Sequence, residues 1–259
     1  MTAPVQPLTK QEIIYPDSDG QLMADNTKQF DYIVKIKLGI DALFKDNQNV
    51  FVAGDLLWYP VEGDNKIRQA PDVMIVFGRP KSDRGSYKQW VEDNLPPQVV
   101  FEILSPGNRK AEMLRKFRFY ERYGVEEYYI YDPDDGDLTG WLVSDEGFNE
   151  IESMASWVSP RLGIRFEIES DKLEIYRPDG QKFLSYVELE TQRELAQARA
   201  ETERQEKELA QARAETERQE KELAQARAET ERQEKELAQA RAEQLAERLR
   251  SMGINPDEV

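Results

Sequence analysis

The C-terminal third of the chain is written in a fourteen-residue unit. ELAQARAETERQEK spans 194–207, recurs letter for letter at 208–221 and 222–235, and begins again at 236. Fourteen residues is two heptads, so the repeat keeps the phase of a coiled coil. With Leu195, Leu209, Leu223 and Leu237 at a positions, Ala198, Ala212, Ala226 and Ala240 fall at d. Thr202, Gln205 and their copies fill the next a and d positions. One large apolar residue per two heptads is a thin seam, but Ala, Glu, Gln, Arg and Lys favour a helix with or without a partner. Leu245 and Leu249 shift the register beyond the last repeat. Ser185 and Glu188 form an S-x-x-E capping box at the start, and Gly253 followed by Pro256 marks the stop. At 1.5 Å per residue the helix would reach roughly 100 Å. Two readings remain, a self-associating coiled coil and a solvated single helix. Membrane binding is disfavoured, because the polar faces mix both signs and carry no aromatic residue.

The expected organisation is therefore a body over 1–185, a helical tail over 186–252 and a short flexible end over 253–259. The body holds nearly all the aromatic residues and is large enough to enclose a core. The chain has no histidine and no cysteine. That excludes a Ser-His-Asp triad, zinc-histidine and thiolate sites, disulfides and an imidazole base. Catalysis would have to use Asp, Glu, Lys, Tyr or Ser, with a hard, oxygen-preferring ion such as Mg2+ or Mn2+ if a metal is involved. The formal charge is −16; thirteen Lys/Arg against seventeen Asp/Glu from Thr191 onward leave −12 on residues 1–190. Such a body is poorly suited to non-specific nucleic-acid binding, which draws on neutralised phosphates. Residues 1–12 are polar and no segment has the length of a membrane span, so the expected location is cytoplasmic.

The body reads as mixed α/β. Residues 27 to about 45 form an amphipathic helix with Ile33, Ile36, Ile40, Leu43 and Phe44 on one face. Strand-like runs follow at 49–59, 71–77 and 98–105, and residues 80–96 read as a long loop. A helix over 108–123 ends at Gly124 and precedes strands at 126–132 and 138–143. The dense apolar runs at 73–77 and 99–104 suggest strands covered on both faces, and the later strands read as antiparallel hairpins.

Two carboxylates interrupt those apolar runs. Glu102 divides Val99-Val100-Phe101 from Ile103-Leu104, and Asp72 stands between Pro71 and Val73-Met74-Ile75-Val76-Phe77. A buried carboxylate needs a partner, a proton or a metal. For either residue alone, an ion pair or a hydrogen bond to a neighbouring loop is the plain alternative. Together with Lys116 on the following helix they supply the parts of a metal-dependent hydrolytic site: two carboxylates to hold a cation and an ammonium to face a phosphate. Met113, Phe117 and Tyr120 mark that helix's buried stripe, with Lys116 at its edge.

The segments PDVMIVF and VVFEILSPGNRKAEMLRKFRFYERYGVEEYYIYDP resemble the Uma-type restriction endonuclease family of bacteria, within the PD-(D/E)XK nuclease superfamily. The resemblance spans roughly residues 10–180 and rests on the E-x-L-S-P run, the K-x-x-x-Y helix and the G-V-x-E-Y-x-x-x-D-P strand. It implies a restriction-endonuclease-like mixed sheet, with the long C-terminal helical coiled coil appended. It also implies a Mg2+- or Mn2+-dependent endonuclease acting on DNA, in which water attacks phosphorus in line and leaves a 5′-phosphate. Carried over, Asp72 and Glu102 are catalytic metal ligands and Lys116 is the relocated catalytic lysine. Leu104 stands where the usual lysine would be, and the histidine common near the start of the first helix is absent.

Other residues carry less specific signals. Asp55 is a candidate accessory ligand or an exposed edge aspartate. The acidic run Asp132, Asp134, Asp135 and Asp137 lacks calcium-loop spacing, because Gly136 and Val143 occupy ligand positions, and a hairpin turn explains it better. Arg109, Lys110, Arg115, Arg118 and Arg122 form a basic cluster, either a phosphate track or a solvated helix face. The alternatives to an endonuclease are a catalytically silent nuclease-fold interaction module oligomerised by its tail, and a coiled-coil structural protein capped by the body.

Overall fold

The computed structural model describes residues 13–253 apart from 19, 21–23, 109 and 171. Residues 1–12, Arg109 of the basic cluster, and Pro256 with the rest of 254–259 lie outside the described residues. The described chain falls into two units, Met1–Leu189 and Glu190–Val259.

In the first unit, α1 (Thr27–Leu43) starts at Asn26, whose side chain accepts a hydrogen bond from the Gln29 N–H. A six-stranded mixed sheet follows, formed by β1 (Val50–Gly54), β3 (Val73–Phe77), β5 (Val99–Ile103), β6 (Glu127–Asp132), β7 (Asp137–Ser144) and β8 (Gly147–Glu150) in that spatial order. All neighbours are antiparallel except β5 and β6. That parallel pair is joined through α2 (Lys110–Arg122), as a parallel connection requires a crossover. Two small sheets complete the unit, the hairpin of β9 (Arg165–Glu169) with β10 (Lys172–Tyr176) and the short pair of β2 (Trp58–Tyr59) with β4 (Tyr87–Lys88).

The sheet separates two apolar layers. Side chains alternate along each strand. Val73, Ile75, Phe101, Ile103, Tyr129 and Tyr131 therefore pack with Ile33, Ile36 and Ile40 of α1 and with Phe166, Leu173 and Ile175 of the hairpin. Met74, Val76, Val100 and Tyr128 pack on the other side with Trp58, Tyr87 and Tyr120 of α2. Each element expected from the apolar pattern is present within a few residues.

Two departures concern the run 49–59 and the loop 80–96. The first is broken after Gly54, because Asp55 adopts a left-handed backbone (φ 48°), a conformation that Asp tolerates better than most residues. The second contains β4 and a short 3-10 helix at Gln89–Val91. Arg84 and Arg79 hold that segment through Glu92.

The second unit is helical. The long helix α3 (Tyr186–Ser251) has no buried residue. Its capping box is formed as expected: the Glu188 carboxylate accepts from Ser185 N–H, and Ser185 Oγ accepts from Glu188 N–H. Ion pairs at i,i+4, including Arg204–Glu208, Lys221–Glu217 and Arg232–Glu236, run along it, and Leu195, Leu209, Leu223 and Leu237 are all more than half exposed. Among the described residues, no helix is long and apolar enough to cross a membrane.

Candidate active site

Strand register brings the two sequence-predicted carboxylates together. In the β3–β5 ladder, Val73 pairs with Phe101 and Met74 with Val100. Continued one step, that register sets Asp72 beside Glu102, whose charge acts on it, and both share the parity of Met74 and Val100, on the α2 face. Directly opposed residues have Cβ atoms about 5 Å apart. Beyond Asp72, Pro71 has no N–H to give the Ile103 carbonyl, and its own carbonyl accepts from the Asp55 N–H. The free Ile103 N–H instead donates to Asp72 Oδ2 at 2.7 Å. Both carboxylates are buried, Asp72 at 8% and Glu102 at 2% exposure.

Helix α2 supplies the partners of Glu102. Lys116 and Tyr120 are one turn apart and so face the same way. Lys116 Nζ donates to Glu102 Oε2 at 2.7 Å, and the Tyr120 hydroxyl donates to Oε1 at 2.5 Å. Lys116, its side chain 11% exposed, is therefore the ion-pair partner of Glu102, not a solvated lysine.

The electrostatics follow from this placement. Burial, and next the repulsion of Glu102, push the Asp72 carboxyl well above its ordinary range, against the pull of Lys116 and the Ile103 N–H. Burial works to lower Lys116, but Glu102 and Asp72 outweigh it and raise the ammonium above its usual value. Burial and the Glu102 charge raise the Tyr120 hydroxyl strongly, which keeps it a donor.

Sequence reasoning gave no site role to three residues around this pair. Gln29 is buried on α1; its Nε2 donates to the Ile103 carbonyl at 2.8 Å and its Oε1 accepts from Asp25 N–H, tying α1 to the end of β5. Nothing in the sequence distinguishes it from any other polar residue in a first helical turn. Tyr120 had a signal, the four-residue spacing from Lys116. The Tyr128 hydroxyl is buried with no hydrogen-bond partner among the described residues, and both Glu102 and Asp72 add to the burial that raises it.

The remaining candidates separate from the pair. Asp55 is one step past the Gly54–Val73 pairing, on the other side of Asp72, and its charge also raises Asp72. Among the described residues, however, no group of three or more carboxylates is placed to share a metal. Lys110, Arg115, Arg118 and Arg122 are exposed. The three arginines share the side of α2 opposite the Phe117–Tyr120 stripe, so they form a solvated face rather than a frame around Glu102. Asp132 Oδ1 accepts from the N–H groups of Asp134 and Asp135, which makes the acidic run the β6–β7 hairpin turn.

The donor set suits Mg2+ or Mn2+. Two carboxylates without nitrogen or sulfur match an ion that takes one or two protein carboxylates and completes its shell with water and phosphate.

The site is thus built on a mixed sheet whose central strands end in an Asp and a Glu, with a lysine reaching the Glu from the crossover helix. The family model described as "Uma2: Putative restriction endonuclease" matches residues 9–212, most of the chain. The chain belongs to that family. Among solved structures it is similar to "a putative nuclease belonging to DUF820" from Anabaena variabilis ATCC 29413, with 15% identity and a TM-score of 0.41, over 53% of this chain and 75% of that one. No curated protein matches it.

Proposed function

We propose that the protein is a metal-dependent endonuclease that hydrolyses DNA phosphodiesters. The observation that carries this reading is the opposed pair Asp72–Glu102 buried with Lys116. Two carboxylates facing each other across adjacent strands repel and are costly to desolvate, so an arrangement that keeps them is best explained by a cation they hold. Asp72 and Glu102 would be the ligands of Mg2+ or Mn2+. When bound, such an ion polarises a phosphoryl oxygen and lowers the pKa of water. Lys116 would set a positive charge beside the phosphate as its charge builds. Water attacks phosphorus, the P–O3′ bond breaks, the 3′ oxygen leaves as a hydroxyl, and the phosphate stays on the 5′ side. The tail would hold two copies of the chain together through its leucine-bearing stripe.

The reading is tested by incubating the full chain with supercoiled plasmid, single-stranded DNA and RNA in Mg2+ or Mn2+, with chelator controls. Cleavage of DNA that disappears in chelator, and falls at least 100-fold in Asp72→Ala and Glu102→Ala, supports it. DNA left intact under every condition, or cut equally by the variants, overturns it.

A further inference from the structure

We infer that the Tyr120 hydroxyl is a positioning group for metal binding: with Lys116 it fixes the Glu102 carboxylate in the orientation that receives the cation. The inference rests on the metal-site reading above. A carboxylate has two oxygens and about four acceptor positions. Lys116 Nζ takes one on Oε2 at 2.7 Å and the Tyr120 hydroxyl takes one on Oε1 at 2.5 Å. Each oxygen keeps one acceptor position for an incoming cation, and two donors on one rigid helix set the plane of the group. A single donor would leave the carboxylate free to turn about its last bond.

The surroundings indicate that the hydroxyl is held for this purpose. Tyr120 is fully buried, its ring lies parallel to Trp58 at 6.4 Å and edge-on to Tyr128 at 5.0 Å. Phenylalanine would satisfy that packing equally. The hydroxyl adds only the bond to Glu102, and buried tyrosines ordinarily direct their O–H to such a partner. Groups that orient a metal ligand in this way typically contribute 10- to 100-fold to metal affinity.

The test is a calorimetric Mn2+ titration of the full chain as wild type, Tyr120→Phe, Tyr123→Phe and Glu102→Gln. Tyr123 packs against the same Trp58 just past the end of α2 and serves as the packing control. We expect Tyr120→Phe to weaken Mn2+ binding 10- to 100-fold, Tyr123→Phe to stay within about twofold and Glu102→Gln to abolish it. At saturating Mn2+, the electron paramagnetic resonance spectrum of the bound ion should change in Tyr120→Phe alone, a readout that lowered fold stability does not produce. Unchanged affinity and an unchanged spectrum in Tyr120→Phe overturn the inference and leave the site standing. Equal weakening in both tyrosine variants also overturns it. No Mn2+ binding by the wild type overturns the inference and the metal-site reading together.

Discussion

Replacing Asp72 with Asn should stabilise the protein near neutral pH. The folded state raises the Asp72 carboxyl well above its ordinary 3.8, burial being the main cause and Glu102 the next. From about 3.8 up to the raised value the folded state therefore binds more protons than the unfolded one. Its stability is greatest below 3.8 and falls as pH rises through that window. At pH 7, above the ordinary value, the buried carboxyl with its raised proton affinity is a burden that Asn removes while keeping an oxygen for the Ile103 N–H, now 2.7 Å from Oδ2. Exchanging a charged acceptor for a neutral one costs about 1 kcal/mol. Relief from desolvation is several kcal/mol before the lost attraction to Lys116 is subtracted. The net should be about 1–2 kcal/mol of stabilisation, the range found when a functional site is relaxed. For a domain of this size that raises Tm by roughly 2–8 °C. Trp58, Trp90, Trp141 and Trp157 all precede the tail, so tryptophan fluorescence melts report the body without the long helix. The gain should be present at pH 7 and shrink toward pH 4. A variant less stable than wild type at pH 7, or a gain independent of pH, would refute the reasoning.

The same site and the tail give further expectations. Lys116→Met leaves Glu102, 2% exposed, without its counter-ion and should cost about 3–5 kcal/mol in chemical denaturation; adding Glu102→Leu should recover most of that loss. Gln29→Leu strips partners from the Ile103 carbonyl and the Asp25 N–H and should lower stability by about 1–3 kcal/mol, read by the same melts. Sedimentation equilibrium of the full chain should show an oligomer that reverts to monomer in Leu209→Ser/Leu223→Ser; a wild-type monomer at all concentrations would leave α3 as a single helix.

How much the sequence revealed depended on the range of the interaction. Asp72 and Glu102 could be picked out because each interrupts an apolar run, and the K-x-x-x-Y spacing placed Lys116 and Tyr120 on one side of a helix. That the two carboxylates face each other was not legible, because it depends on the pairing of Val73 with Phe101, a register set by contacts across the sheet. The break at Asp55 was missed because a single left-handed residue leaves the apolar pattern of 49–59 intact. A two-residue strand such as β4 is too short to show any period, so 80–96 read as loop throughout. The direction of the arginines on α2 could have been found by counting positions against Phe117 and Tyr120, since a basic cluster has a face as well as a charge. Gln29 acts through the backbone of a strand 74 positions away, and no local pattern encodes that.

The most direct measurement is the rate of plasmid nicking by the full chain as a function of Mg2+ concentration, for wild type and Glu102→Gln, with the nicks tested for resealing by DNA ligase. The account predicts a rate that saturates with Mg2+, vanishes in chelator and in the variant, and yields ligatable nicks carrying 5′-phosphate. A rate that persists in chelator or is unchanged in Glu102→Gln would contradict it, as would intact plasmid at every Mg2+ concentration.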